Sequence, residues 1–199
     1  MEQPANFANP QEMVAFAWKL LLEACHQRRH PFHTPTLCTV SARGPEARSV
    51  ILRDAGEADW TLRANADVRS PKVKQLETDG RSTWQFYSFP DYLQVRCFGH
   101  TQVHHLDEIA NEAWKRSQLL SRRCYLAPLP PSAPLEKLES NMPPDLAGRE
   151  PTEEESRAGF QNFAVLQCHV EEMDILSLRY EGNLRLRAIR NQSPIWTAP

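Results

Sequence analysis

Between Thr36 and His105 the chain is written almost wholly in short β-prone runs separated by turn signals. TLCTVSA (36–42) passes through Arg43-Gly44-Pro45 into ARSVILR (47–53), and Asp54 to Gly56 separates that run from DWTLRA (59–64). RSTWQFYSF (81–89) and YLQVRCFGHTQVHH (92–105) follow, the second long enough to bend. One helix interrupts: SPKVKQLETDG (70–80), with Ser70 as N-cap, Pro71 at the first helical position and Gly80 as a stop. Successive strands joined by turns pair antiparallel, because each parallel pair needs a long crossover. Without β-α-β alternation, the pattern predicts an α+β fold: an antiparallel split β-barrel with peripheral helices, in a single domain over 1–199.

The remaining segments supply the periphery. Pro10 followed by QEMVAFAWKLLLEACHQ carries Met13, Phe16, Ala17, Leu20, Leu21 and Ala24 on one helical face, and Pro31 and Pro35 break the run beyond it. LDEIANEAWKRSQLLSRR (106–123) reads as a second amphipathic helix capped by Asp107, with Ile109, Ala113, Leu119 and Leu120 apolar. Residues 127–151 hold seven of the sixteen prolines, too many for regular structure, and are expected to form an ordered flap or crossing loop. Thr152 and Glu155 have capping-box spacing, and NFAVLQCHVEEMDILSL with LRLRAI makes a closing hairpin around Glu181-Gly182-Asn183.

Composition narrows the function classes. A net charge of −2, from 23 basic and 25 acidic residues, gives no long-range attraction to nucleic acid or anionic lipid, so an anionic partner must be gripped locally. Neither G-x-G-x-x-G nor G-x-x-x-x-G-K-[ST] occurs, which removes the two glycine-rich routes to a nucleotide phosphate. Five scattered cysteines without C-x-x-C suit reduced thiols. Glu2, Gln3 and Glu12 stand where a secretion signal needs a basic start and an apolar block, and the expected location is the cytoplasm. His26 and His30 have helical i, i+4 ligand spacing, but no acidic or cysteine partner completes a metal set. Trp60, Trp84, Phe86 and Tyr87, lying in strands without a basic surround, read as core rather than as a base-stacking platform.

Two cationic clusters remain. Arg48 and Arg53 bracket an aliphatic run in RSVILR, and Arg69, Ser70 and Lys72 follow in RSPK. Guanidinium forks match phosphate oxygens bidentately, and the amides at the start of the helix after Ser70 aim at the same kind of anion. Arg48 and Arg53 have opposite parity along a strand, so a bulge, a strong twist or a strand end at Leu52 is needed to bring them together; otherwise only one touches the phosphate.

TLCTVSARGPEARSVILRDAGEADWTLRANADVRSPKVKQL and WQFYSFPDYLQVRCFGH resemble the pyridoxamine 5′-phosphate oxidase-like flavoproteins, in the branch with RSPK where the oxidases tend to have SRK. The resemblance runs over about residues 13 to 190 and is most specific in 36–100. It implies a split barrel binding FMN at the interface of a homodimer, and an oxidoreductase that transfers hydride from a small-molecule substrate to flavin. By position, Arg48, Ser49, Val50, Ile51 and Leu52 match the segment along the flavin, with Arg48 on its phosphate. Arg53 stands where the family has a lysine near substrate and flavin ring; Ser70 and Lys72 match the second phosphate segment, with Arg69 compensating for Pro71 in place of an arginine. Gln94 matches a glutamine that reaches the flavin from the partner subunit, and Arg187 a flavin-contacting arginine. For substrate the resemblance offers Arg53, Ser117, Arg122, Arg123 and Arg185, while the family's R-x-H motif reads Asn183-Leu184-Arg185. No catalytic acid or base is nominated. A dimeric module that does not turn over is the alternative, and haem bound by the histidines a third reading.

Overall fold

The computed structural model describes residues 7–199; Glu2 and Gln3, used above against a secretion signal, lie outside the described residues. The helices are α1 (Pro10–His26), α2 (Pro71–Thr78), α3 (Glu108–Arg116), α4 (Leu119–Arg122) and α5 (Glu153–Ser156). The strands are β1 (Thr36–Ser41), β2 (Gly44–Ser49), β3 (Leu52–Gly56), β4 (Thr61–Asp67), β5 (Arg81–Ser88), β6 (Leu93–His105), β7 (Phe163–Ser177), β8 (Leu184–Ile189) and β9 (Ile195–Thr197). None of the described helices is long and apolar enough to cross a membrane.

All nine strands join one antiparallel sheet, ordered β2-β1-β5-β6-β7-β4-β3, with β8 on the second half of β7 and β9 beyond it. The expected barrel is not formed: the strand path stops at β2 and at β3, and no ladder joins these two ends. Only Val50 and Ile51 separate β2 from β3. A two-residue hairpin there would need positive φ at β-branched residues, which sterics oppose. The chain instead stays beside β1, where Val50 N–H donates to Pro35 O at 3.0 Å, and then enters β3 at the far end of the sheet. Three Cα–Cα steps span at most about 11 Å, so the sheet curls until its two ends are neighbours without being hydrogen-bonded. The run ARSVILR, expected as one strand, is therefore two.

Two bulges set which residues face inward. Leu52 pairs with Ala64 and Asp54 with Arg63, leaving Arg53 as an extra residue on β3. The parity of burial switches there, from Leu52 to Ala55. On β7, Phe98 pairs with Glu172 and Gly99 with Val170, so Glu171 is extra; the core side changes from Leu166, Cys168 and Val170 to Met173 and Ile175. Gly99 is required at this crossing, since a Cβ there would lie 2.1 Å from the backbone oxygen of His169.

The main core lies between the sheet and α1, whose face of Met13, Ala17, Leu20, Leu21 and Ala24 is buried as the period predicts. Asn9 caps α1 by accepting from Glu12 N–H at 3.0 Å. Trp84 and Phe86 are in this core and Trp60 is half-buried against Trp18, but Tyr87 is 43% exposed and is not core. A second cluster packs Trp114 of α3 against Phe163 and Val165 of β7, with Tyr125 and Phe160 around it. The helix expected over 106–123 breaks at Ser117, whose backbone is extended and whose hydroxyl donates to Ala113 O at 2.8 Å; α4 restarts two residues later. The capping box of Thr152 and Glu155 is present.

The proline-rich segment is pinned rather than regular. Asn141 binds the backbone of Leu129 in both directions, at 3.1 and 2.7 Å. Arg123 donates to the carbonyls of Leu146 and Arg149, and Leu146 is buried.

Candidate cofactor and substrate site

The structure brings part of the two cationic clusters together. Arg48 lies on β2 and turns across β1 towards α2: its guanidinium donates to Thr39 Oγ1 at 2.5 Å, Gln75 Oε1 at 3.1 Å, and the carbonyls of Leu37 and Glu46 at 3.3 and 3.0 Å. Thr39 in turn donates to Gln75 Oε1 at 2.6 Å. Gln75 is one turn along α2 from Lys72, on the same face. Lys72 donates to Ser70 Oγ at 3.0 Å and has no salt bridge among the described residues. Burial lowers the Lys72 pKa, and the neighbouring positive charge of Arg48 lowers it further, against a smaller opposing pull from Asp67. Two cations from separate segments are thus held close enough to repel each other, with one of them partly desolvated and without a carboxylate partner. Glu46, hydrogen-bonded by Arg43, Gln75 and Ser41, stays ionised down to about pH 2 at the outer edge of this cluster.

Other residues of the expected set point elsewhere. Ser70 is at the N-cap position of α2, but its hydroxyl donates back to Asp67 O at 2.7 Å instead of capping the helix. Arg69 grips Asp67 through Nε and Nη2 at 3.0 and 2.6 Å, and also donates to the carbonyls of Ala127 and Pro128, mooring the proline-rich segment. Ser49 is exposed, Val50 and Leu52 are buried, and Ile51 is half-buried between them. Gln94 is half-buried on β6, paired across to Tyr87 and Leu176. Arg187 binds Glu172 bidentately at 2.7 and 2.6 Å. Arg185 binds Asp174 at 3.0 and 2.6 Å, and Arg96 binds the same carboxylate.

Arg53, bulged out of β3, does not meet Arg48 but lines a separate cavity of about 540 Å³. Its walls come from the end of α1 and the loop beyond (Cys25, His26, Arg28, His33), β3 and β4 (Arg53, Asp54, Arg63, Asn65), β7 (Val165), and the α3–α4 break with its flanks (Ile109, Glu112, Ala113, Arg116, Ser117, Gln118, Ser121). Ser117 is therefore brought beside Arg53. Arg122 and Arg123 are not: Arg122 is buried under Trp114 and bound to Glu153 at 2.6 Å, while Arg123 ties down the proline-rich segment. Arg63 is engaged by Gln167 at 2.6 Å and Asp54 at 3.3 Å, and Arg116 by Glu112 at 3.6 Å. Arg28 and Arg53, both exposed, have no hydrogen bond or ion pair among the described residues, so two guanidiniums at the cavity are open to a ligand. Burial and the charge of Asp54 push the Cys25 thiol up to about 12, which keeps it neutral.

The sequence reading missed Thr39 and Gln75, the residues that hold Arg48, and Arg28, His33 and Asn65 in the cavity. Gln75 was findable from its three-residue spacing to Lys72. Asn65 was findable from its place two residues from Arg63 on one strand face.

Residues 15–105, which span β1 to β6 and both cationic segments, match the family described as pyridoxamine 5′-phosphate oxidase, FMN-binding domain. Over these residues, just under half of the chain, the protein is similar to that FMN-binding family. The chain is also similar to the pyridoxine/pyridoxamine 5′-phosphate oxidase 2 of Arabidopsis thaliana, at 26% identity over 178 residues, 84% of this chain and 86% of the relative. Two solved structures share the fold. One is a pyridoxamine 5′-phosphate oxidase-related, FMN-binding protein from Nostoc punctiforme PCC 73102 (TM-score 0.68, 23% identity, 98% of this chain and all of that one). Another is PhzG from Burkholderia lata 383 (TM-score 0.69, 15% identity, the whole of both chains).

The donors present fit a flavin phosphate. Lys72 has two Nζ hydrogens left after its bond to Ser70, and its charge is short of both water and a counter-ion.

Proposed function

We propose that the protein is an FMN-dependent oxidoreductase acting on a small anionic substrate, and that it works as a homodimer. The observation that carries the reading is the pairing of Arg48 with a partly desolvated Lys72 that lacks a carboxylate partner. Folding places two like charges together only at a cost, and a bound phosphate reverses the sign of that interaction. Arg48, Lys72 and Ser70 would hold the FMN phosphate, with the Val50–Leu52 segment lying along the flavin and Gln94 reaching it from the second copy. FMN, when bound, supplies a hydride acceptor.

The chain's own residues do the rest. Arg53 and Arg28 bind the substrate's anionic group, Ser117 and Asn65 orient it, and the half-buried, neutral Cys25 and the buried Val165 keep that side of the cavity poor in water. An anion suits the named relatives: one is an oxidase of pyridoxine or pyridoxamine 5′-phosphate, and the PhzG structure is a complex with tetrahydrophenazine-1-carboxylic acid. Exposed Phe89, Ile195 and Trp196 provide apolar surface for a second copy to cover. One observation favours a flavin-binding module without turnover: Arg185, in the family's substrate motif, is spent on Asp174.

A visible spectrum of purified protein, with mass spectrometry of the released ligand, tests the reading. Flavin absorbance in the wild type and its loss in Arg48→Ala/Lys72→Ala is the expected result; equal occupancy in both overturns the phosphate assignment. Bleaching by anionic reductants under anaerobic conditions separates the enzyme from the module.

A further inference from the structure

The cavity wall contains a buried histidine whose tautomer is set by its surroundings and whose second ring nitrogen has no partner among the described residues. His33 closes the short 3-10 turn Pro31–His33 that follows α1. The turn is fixed by its own bonds: Phe32 is wholly buried in the core, Phe32 N–H donates to His30 Nδ1 at 3.1 Å, and His33 N–H donates to His30 O at 2.9 Å. His33 itself is only 8% exposed, yet it lines the cavity with Arg28 and Arg53. Its Nδ1 lies 2.6 Å from Ala24 O. A carbonyl can only accept, so Nδ1 keeps its hydrogen, and in the neutral ring Nε2 is a bare acceptor. No described residue hydrogen-bonds to Nε2.

The other charged groups of the wall are less suited to this role. Arg28 and Arg53 only donate, while the carboxylates Asp54 and Glu112, each beside an arginine, carry a negative charge that repels an anion. The cavity thus combines cationic donors with a neutral acceptor on a rigid, buried residue. We propose that His33 Nε2 accepts a hydrogen bond from an O–H or N–H of the ligand, and so selects small anions that carry such a donor over anions that carry none. This rests on the reading of the cavity as an anion site. A ligand without a donor would displace water from this acceptor and leave it unpaired, which is how a site rejects an analogue lacking a hydroxyl or amine.

Hydrogen phosphate and sulfate separate the two ideas, because both carry two negative charges near pH 8 and only the former has an O–H. Calorimetric titration of the protein saturated with FMN, so that the Arg48–Lys72 cluster is filled, should show hydrogen phosphate binding about 10-fold or more tighter than sulfate. His33→Asn keeps an N–H for Ala24 O and removes the acceptor, and should bind both anions alike. His33→Gln, whose longer amide reaches the Nε2 position, should restore part of the preference. Arg53→Ala should weaken both anions, which locates the binding. The Arg48→Ala/Lys72→Ala protein should show the wild-type preference without flavin. Equal wild-type affinities, or a preference that survives in His33→Asn, would overturn the role of His33 and leave the anion cavity standing. Failure of the wild type to bind either anion would overturn both.

Discussion

Replacing Lys72 by methionine keeps the side-chain stem and removes the charge. Without flavin, that charge is a burden: burial and Arg48 both disfavour it, and one bond to Ser70 is its direct hydrogen bond. With flavin, its two remaining donors meet phosphate oxygen. Losing a hydrogen bond to a charged group costs on the order of 1.5–3 kcal/mol, so the FMN dissociation constant should rise about 10- to 150-fold, read by quenching of flavin fluorescence. Stability should move the other way. A lysine whose folded pKa lies below its unfolded value costs the fold most at pH below the folded value, and the cost fades as pH rises from there towards the unfolded value near 10.4. At neutral pH flavin-free Lys72→Met should therefore melt no lower than the wild type. An FMN affinity within about twofold of the wild type would refute the assignment of Lys72 to the phosphate, whatever the melting temperature does. Lys72 is a cleaner probe than Arg48, whose removal strands the acceptors of Thr39, Gln75 and two carbonyls and so confounds binding with folding.

Gly99→Ala forces a Cβ to within 2.1 Å of the His169 carbonyl oxygen, a backbone atom, and should cost about 2–3 kcal/mol, lowering the melting temperature by roughly 5–10 °C in a thermal scan. Arg69→Gln should leave the sheet intact but loosen the proline-rich segment, so that trypsin cuts at Lys137 faster than in the wild type; an unchanged cleavage rate would show that the two carbonyl bonds do not moor it. Burial raises the Asp174 pKa, but hydrogen bonds from Arg185 and Arg96 outweigh burial and leave it lowered. Its stabilising contribution is then complete above the unfolded carboxylate value near ~4 and is lost as pH falls towards the lowered folded value, so the stability gap between wild type and Asp174→Asn should narrow across that window in acid denaturation.

Local chemistry made the elements legible and long-range closure hid the rest. The caps at Asp107 and Thr152, the face of α1 and the turns between strands are decided within a few residues, and the sequence shows them. Whether a sheet closes depends on which strands become its ends, and the departure of β3 from β2 is settled by its pairing with β4, which itself pairs with β7 about a hundred residues further along the chain. The parity objection to Arg48 and Arg53 anticipated a real irregularity, but the break and the bulge send the two side chains to different places. Arg122, Arg123, Arg185 and Arg187 looked as available as Arg53 because a sequence does not reveal tertiary partners. Glu153, Asp174 and Glu172 reach Arg122, Arg185 and Arg187 only through packing, and the Leu146 and Arg149 carbonyls reach Arg123 the same way.

The two residues between β2 and β3 also act as a covalent ruler. Arg48 at the proposed phosphate grip and Arg53 at the anion cavity are anchored at opposite margins of the sheet, yet a single short tether fixes how far the two binding events can drift from each other. Lengthening that tether by even one residue would disturb the segment proposed to lie along the flavin and uncouple the spacing of the two pockets. An insertion there should therefore weaken FMN while leaving anion affinity at Arg53 unchanged.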